Sequence, residues 1–383
     1  MNSHEVTLSN QLYTNCNLCP RNCNIDRHSA LGVCRCSDRL RAARAGLHFY
    51  EEPFLSGTNG SGTVFFSGCS LRCIYCQNGQ ISLENHGFDI SIERLAEIFL
   101  EQQARKAHNI NLVTGTHYTP SIACALQIAK ANGLTIPVVW NSSGYEKADT
   151  LKMLDGLVDI FLPDFKTLSP VLGIKYMKAP DYPEYAKEAL SCMVHMTGDV
   201  IFESYDSSCA PYASVSKADS PETVPGSGIS TKLSGSQESD SGISVELPGW
   251  PEPGSRISAD LPDSPEPAYE GENVLMQRGV VVRHLMIPGQ LEDSKNVIKY
   301  LYETYGDKIW ISLMSQYTPV GIFAGSPVMP YKNTCPELFV KVSRDEYDEL
   351  VDYAIDIGVE NCMIQEEDVA DDSFIPDFDG SGI

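Results

Sequence analysis

The sequence predicts an α/β protein built as an incomplete, TIM-like (βα)6 barrel. Three observations predict it. Short apolar, β-branched runs alternate along the chain with segments of helical period. Strands separated by helices pair in parallel, and the helices cover them. Polar residues also follow the ends of the expected strands, where chemistry collects in such sheets.

Residues 62–68 (GTVFFSG) read as the first strand, and a cysteine-rich loop follows. A helix is expected at 91–107, with Ile92, Leu95, Ile98 and Phe99 on one face. Then come a strand at 110–115, a helix at 120–132, a strand at 136–141 and a short helix at 147–154. A strand at 157–165 and a helix at 183–196 follow. Farther on stand a strand at 280–287, a helix at 292–305, a strand at 309–316, a helix at 344–357 and a short run at 360–364. The polar strand ends are Thr114 and Thr116, Asn141 and Ser143, Asp164 and Lys166, Arg283 and His284, and Gln316. His117 (beside Thr116) and His284 stand at strand ends facing the expected cavity, where a hydrogen-bonding role outweighs a proton-transfer one; the sequence gives His48 no direction, and Gln316 and Tyr317 are candidates for the cavity wall.

Composition narrows the function classes. The 383 residues carry a formal charge of −23 and are 42% apolar. Such acidity excludes a binder of phosphate backbones, which needs clustered Lys and Arg. The charge is also localised. Residues 204–272 hold −9 and residues 366–383 hold −7, which leaves a modest −7 for the rest. The first stretch is rich in Ser, Pro and Gly and has no period, so it cannot bury enough apolar surface to offset its ordering entropy. It is expected to be a disordered insertion looped out of the core, with its two ends close together. The acidic C-terminal tail is read in the same way. The organisation expected is a Cys-rich appendage at 1–60, a core barrel at 61–365 interrupted by the insertion at 204–272, and the tail at 366–383. No apolar run is long enough for a membrane span, and the N-terminus has no pattern of a secretory signal. A cytoplasmic protein with neither a membrane nor a nucleic-acid partner is expected. Its thirteen cysteines then suggest metal ligation or catalysis rather than disulfides.

The decisive motif is Cys69-Ser-Leu-Arg-Cys73-Ile-Tyr-Cys76, directly after the first strand. Soft thiolates favour iron–sulfur clusters or zinc. A structural zinc site wants four protein ligands, and this loop supplies three. Three ligands on a four-iron cubane leave one iron open to a small molecule. With Tyr75 before the last cysteine, the motif resembles that of the radical S-adenosylmethionine superfamily. The stretches CNLCPRNC, HFYEEPFLSGTNGSGTVFFSGCSLRCIYCQN, NINLVTGTHYTP, NSSGYE, DIFLPDFK and VVRHLMIPG are similar to its pyruvate formate-lyase activating enzyme-like (PflX-type) group.

The resemblance implies a partial barrel of the radical SAM type and two cofactors, a [4Fe–4S] cluster on Cys69, Cys73 and Cys76 and S-adenosyl-L-methionine. It implies reductive cleavage of that cofactor to a 5′-deoxyadenosyl radical, which takes a hydrogen atom from substrate. It places Tyr75 near the adenine and Thr114, Asn141, Ser143, Asp164 and Lys166 around the cofactor. It places Arg283 near the cofactor carboxylate. A reductant such as flavodoxin or ferredoxin is implied as partner, and a protein substrate is an option. The activity would be activase-like, leaving a glycyl radical on a partner enzyme, or would act on a small molecule or another protein side chain. A reading of another class, a non-catalytic iron–sulfur or metal-binding protein, stays open beside these. The sequence also departs from the family. Relatives carry Gly-Gly-Glu at the end of the second strand, and here Thr114-Gly115-Thr116-His117 has no carboxylate.

A second cysteine group, Cys16, Cys19, Cys23 and Cys34, could hold zinc or a second iron–sulfur cluster, with Cys36 as a spare and His28 as a further donor. The remaining cysteines, Cys124, Cys192, Cys209, Cys335 and Cys362, are isolated and read as structural thiols.

Overall fold

The computed structural model describes residues 11–205, 274–319, 331–365 and 376–383. The insertion beyond residue 205, with Cys209, and the tail as far as residue 375 lie outside the described residues. Ten strands are described: β1 (Arg41–His48), β2 (Ser61–Phe66), β3 (Phe88–Asp89), β4 (Ile110–Val113), β5 (Val138–Ser142), β6 (Ile160–Pro163), β7 (Ile201–Ser204), β8 (Val274–Leu285), β9 (Trp310–Met314) and β10 (Cys362–Ile364). The longer helices are α1 (Ile92–Ala104), α2 (Thr119–Ala131), α3 (Pro170–Met177), α4 (Tyr182–Thr197), α5 (Leu291–Tyr305) and α6 (Arg344–Asp356).

The strands form one sheet in the order β10-β9-β8-β6-β5-β4-β2-β1-β3, with β7 beside β8. From β2 to β10 every neighbour on this path is parallel. The fold is therefore α/β with a mostly parallel sheet, as the alternation predicts. Two layers of apolar side chains explain the near-continuous hydrophobic strands. Val138, Trp140, Phe161, Val280 and Val282 pack with helix residues such as Leu95, Phe99 and Ile298. The alternate residues Val139, Ile160, Leu162 and Val281 pack with Phe54 and Leu55 on the opposite face.

Helix ends agree with local chemistry. Ser91 caps α1 by accepting from the Arg94 N–H, and Ser169 caps α3 by accepting from the Leu172 N–H. The helix α3 was not expected, because Pro170–Met177 spans barely two turns. Residues 147–154 form one α-turn and a 3-10 turn rather than a helix.

Three features bear on the chain's organisation. First, the boundary at residue 60 cuts through the sheet. The strand β1 from the expected appendage runs antiparallel to β2, from Ala42 opposite Phe66 to His48 opposite Ser61. Arg-Ala-Ala-Arg-Ala lacks the β-branched residues that announce a strand, and tertiary pairing overrides that propensity. Second, the ends of the insertion do meet, on a ladder: β7 pairs antiparallel with β8, Ser204 opposite Val274. Third, the tail is not wholly an appendage. The Gly380 N–H donates to the Ala43 carbonyl and the Ala45 N–H to the Ser381 carbonyl. Phe378 is buried with Ala43, Phe65 and Ile81, its ring 5.5 Å from that of Phe65 in an edge arrangement.

This last contact is testable. Replacing Phe378 by Ala removes a buried ring and is expected to cost about 3 kcal/mol of unfolding free energy, read as a lower denaturant midpoint at unchanged slope. An unaltered midpoint would show that the tail contributes nothing to stability.

Candidate active site

The loop after β2 begins with a backbone constraint. Gly68 has φ +82°, a conformation that side chains resist, and its N–H donates to the Ile81 carbonyl at 2.7 Å. A methyl group there would press on the Cys36 sulfur and come within 2.8 Å of the Cys34 carbonyl. The chain then turns through Arg72, also left-handed at φ +58°. The Ile74 N–H donates to the Tyr176 carbonyl at 2.9 Å, and the Ser82 hydroxyl to the Cys76 sulfur at 3.2 Å.

Arg21, from the CPRNC segment, fastens this loop. Its guanidinium donates to the carbonyls of Ser70 and Leu71 in the loop and to those of Met177 and Lys178 at the end of α3, over 2.6–2.9 Å. Sequence reading missed Arg21. The only signal was its place between two cysteines of the N-terminal group.

The three loop thiols lie within one another's electrostatic reach. Burial pushes Cys73 up to about 12; Lys166 opposes this, and Cys69, Cys76 and Asp164 reinforce it. Burial likewise raises Cys76 against the hydrogen bond from Ser82. Lys166 donates to Asp164 at 2.7 Å. Burial works against its charge, but Asp164, Tyr75 and Cys73 outweigh burial and hold its pKa well above the ordinary lysine value. A cation fixed beside buried thiols favours their thiolate form. Among the described residues no three His, Cys, Asp or Glu side chains converge on the position of a single ion. A cubane asks for something else, one sulfur per corner iron, and three gathered thiols with a neighbouring cation suit it.

Around this loop the expected residues assemble unevenly. Tyr75 is buried, its ring 5.8 Å from Tyr176 and 6.3 Å from Tyr317. Asn141 and Ser143 stand at the end of β5, and the Ser143 hydroxyl is buried with no hydrogen-bond partner. Tyr182 ties this end to the next: its hydroxyl donates to the carbonyl of Asp164 or Ser143, at 3.0 and 3.1 Å, and accepts the Lys166 N–H at 2.9 Å. Thr114 follows β4 and is half-buried. Gln316 offers its carbonyl to the Gln77 side chain at 2.9 Å, and Tyr317 is buried with its hydroxyl on the Leu338 carbonyl.

Arg283 stands beside Asp164 on the sheet and is engaged by the protein's own carboxylates. Its guanidinium binds Glu52 through two hydrogen bonds, at 2.8 and 2.6 Å, and also grips Glu51. Both carboxylates come from the segment after β1, which sequence reading had assigned to the appendage. Asn111 completes the group by donating to Glu51 at 2.7 Å. Burial opposes the Glu51 charge, but Arg283, His48 and Asn111 outweigh it and keep that carboxyl below the usual range. The fork expected to meet a cofactor carboxylate is thus filled by the protein's own carboxylates.

The two histidines serve as hydrogen-bonding partners of the backbone. His117 is buried and bonds the Ser67 carbonyl at 2.8 Å, between the β2 end and the N-terminal cysteines. His284 shares the helix-facing side of β8 with Val280 and Val282, and its Nδ1 donates to the Phe165 carbonyl at 2.8 Å. His48 is half-buried between Tyr50 and Phe65, near Glu51.

Glu146 was overlooked. It is buried and accepts hydrogen bonds from Thr116 and Trp140, each at 2.9 Å, and from Ser142 at 2.5 Å. Burial still pushes its carboxyl up. A carboxylate therefore does stand beside the Thr114–His117 stretch, delivered by the next strand. Its signal lay in the NSSGYE segment.

The N-terminal cysteines gather too. Cys19 lies within electrostatic reach of Cys34, Cys16 and Cys23. Cys36 lies against Cys34, its thiol paired with the Cys34 sulfur and also within reach of the Cys34 and Ser67 carbonyls at 3.5 and 3.4 Å. His28 pairs with Asp38 at 2.8 Å instead of joining the thiols. None of the described cysteines, Cys124, Cys192, Cys335 and Cys362 included, forms a disulfide. No described helix is long and apolar enough to cross a membrane.

Comparison with known proteins agrees with the loop. Residues 63–197 match the radical SAM superfamily model. A stretch of 190 residues is 30% identical to an uncharacterized protein of Methanocaldococcus jannaschii, covering 48% of this chain and 54% of that one. The chain thus spans about half the length of that curated relative. Among solved structures, SuiB of Streptococcus suis, crystallised with the precursor peptide SuiA, aligns with a TM-score of 0.41 and 10% identity over 78% of this chain and 46% of its own. A likeness of that size says nothing about chemistry.

The buried histidines carry a pH dependence. Burial, with Lys166 adding to it, holds His284 down to about 4 in the folded state. The unfolded chain takes up that proton near pH 6.5. Stability is therefore complete above about 6.5 and falls as pH drops toward 4, by up to about 3 kcal/mol from this group. Urea unfolding of His284→Gln should show a flatter loss of stability across that window than the unaltered chain; parallel curves would refute the assignment.

Proposed function

We propose that this chain is a radical S-adenosylmethionine enzyme, and that the site at the C-terminal ends of β2, β5 and β6 is its catalytic centre. The observation that carries the reading is the group of three mutually adjacent thiols beside the Lys166–Asp164 pair. Cys69, Cys73 and Cys76 would hold a [4Fe–4S] cluster with one iron left to S-adenosylmethionine. Bound together, these groups supply one-electron cleavage of a sulfonium and a carbon radical able to take hydrogen from a C–H bond.

The chain's own residues do the rest. Gly68 and Arg21 fix the loop so that the thiols keep their spacing. Lys166 offsets the negative charge that three thiolates bring into a buried place. The partnerless Ser143 hydroxyl and Asn141 offer hydrogen bonds to a polar cofactor at the β5 end. Tyr75, with Tyr176 beside it, offers an aromatic wall for a purine. Thr114 and Thr116, with Glu146 behind Thr116, stand where an amine would be received. With Arg283 engaged, recognition of a carboxylate falls to Lys166 or to backbone N–H groups. A reductant of the flavodoxin or ferredoxin class would deliver the electron. Resemblance to activating enzymes favours a glycyl Cα of a partner protein as hydrogen donor.

The test is an anaerobic assay. With cluster reconstituted and reduced, added S-adenosylmethionine should yield 5′-deoxyadenosine. Cys73→Ala should abolish the product, and Lys166→Met should lower it about 10- to 100-fold by loosening support of the ligands. No 5′-deoxyadenosine from protein with an intact cluster would sink the enzyme reading. A glycyl-radical EPR signal on a co-expressed partner would support the activase-like substrate, and hydrogen abstraction confined to a small molecule would replace it.

A further inference from the structure

We propose that Cys16, Cys19, Cys23 and Cys34 bind a second iron–sulfur cluster, directly behind the Cys69–Cys76 loop, with Arg27 as its buried counter-charge. The inference stands apart from the catalytic reading and does not require it.

Every one of the four sulfurs is the target of an N–H donor. The Val33 N–H donates to Cys23 at 3.4 Å, and the Arg27 guanidinium to Cys16 at 3.8 Å. The Arg21 N–H faces Cys19, and Cys34 receives the Cys36 thiol ahead of the Cys36 N–H. A neutral thiol is a weak acceptor. Donors aimed at all four sulfurs suit thiolates, and hydrogen bonds to the sulfurs are one of the levers that tune iron–sulfur centres. The turns that present them use left-handed residues, Asn22 at φ 43°, Asn24 at φ 51° and Arg35 at φ 62°.

Arg27 carries the charge argument. It is 0% exposed. Its guanidinium donates to the carbonyls of Cys36, Ser37 and His117, and lies over the rings of Tyr13 and Tyr118 at 4.7 and 5.6 Å. None of these contacts supplies a full negative charge, and no ion pair with a carboxylate is present among the described residues. A buried cation without an anion is costly. The groups within reach that can become anions are the thiols of Cys16 and Cys34 and the phenol of Tyr13. A thiolate-bound centre provides the missing charge.

The spread of the sulfurs favours a cluster over zinc. Zinc draws four sulfurs to about 2.3 Å from one point. Among the described residues no three side chains converge in that way. Cys23 and Cys34 stand on either side of Gly32, whose methyl would lie 3.7 and 3.2 Å from their sulfurs. The location matters as well. The Cys34 carbonyl touches Gly68, next to Cys69, and Arg72 senses Cys69, Cys34 and Cys36 together.

The experiment is metal analysis of anaerobically purified full-length chain. The triple variant Cys69→Ala, Cys73→Ala, Cys76→Ala should keep roughly a third to a half of the wild-type iron and acid-labile sulfide, as expected for a remaining two- or four-iron cluster. Cys19→Ala should lose that share and keep the remainder. Zinc at one per chain, iron without sulfide, or no metal in the triple variant would overturn the proposal while leaving the catalytic reading intact. Retained cluster in a chain that makes no 5′-deoxyadenosine would do the reverse. Should the triple variant not fold, wild-type content decides: more than about four irons per chain supports a second cluster, and four or fewer overturns it.

Discussion

Three thiols held in a buried loop are the constraint on which this structure turns. A thiolate taken out of water is unfavourable unless donors and cations replace the solvent. The loop of Cys69–Cys76 meets that demand with Lys166 from the β6 end and Ser82 from the following turn. It keeps its shape because Arg21 joins its carbonyls to the end of α3, and because Gly68 lets the chain pass close to Cys34 and Cys36. The N-terminal cysteine segment is therefore part of the site's scaffold.

The group around Arg283 shows how polar side chains survive among apolar strands. Arg283, Glu51, Glu52 and Asn111 satisfy one another. Removing one member would strand a buried charge, so the group stands or falls as a unit. Arg283 thus joins the segment after β1 to β8.

Glu146 illustrates a comparable exchange. Where a carboxylate is missing from the Thr114–His117 stretch, one arrives from beyond β5 and accepts three hydrogen bonds. A side chain's position along the sequence and its position in space are separate quantities, and parallel strands convert one into the other. The end of each strand lies beside the end of its neighbour however many residues intervene.

The alternation of apolar runs and helical periods determined the α/β class, because burial on both faces of parallel strands leaves that pattern in composition. The spacing of Cys69, Cys73 and Cys76 determined the candidate site, because a short loop carries its own geometry. Ser, Pro, Gly and acid content set residues 204–272 apart from the rest of the sequence. Tertiary structure alone decided the partners: that β1, poor in β-branched residues, joins the sheet; that Arg283 binds glutamates; that His117 and His284 bond the carbonyls of Ser67 and Phe165; that Phe378 is buried. These depend on contacts between residues far apart in sequence, and neither propensity nor period encodes which distant side chain a guanidinium or ring will meet.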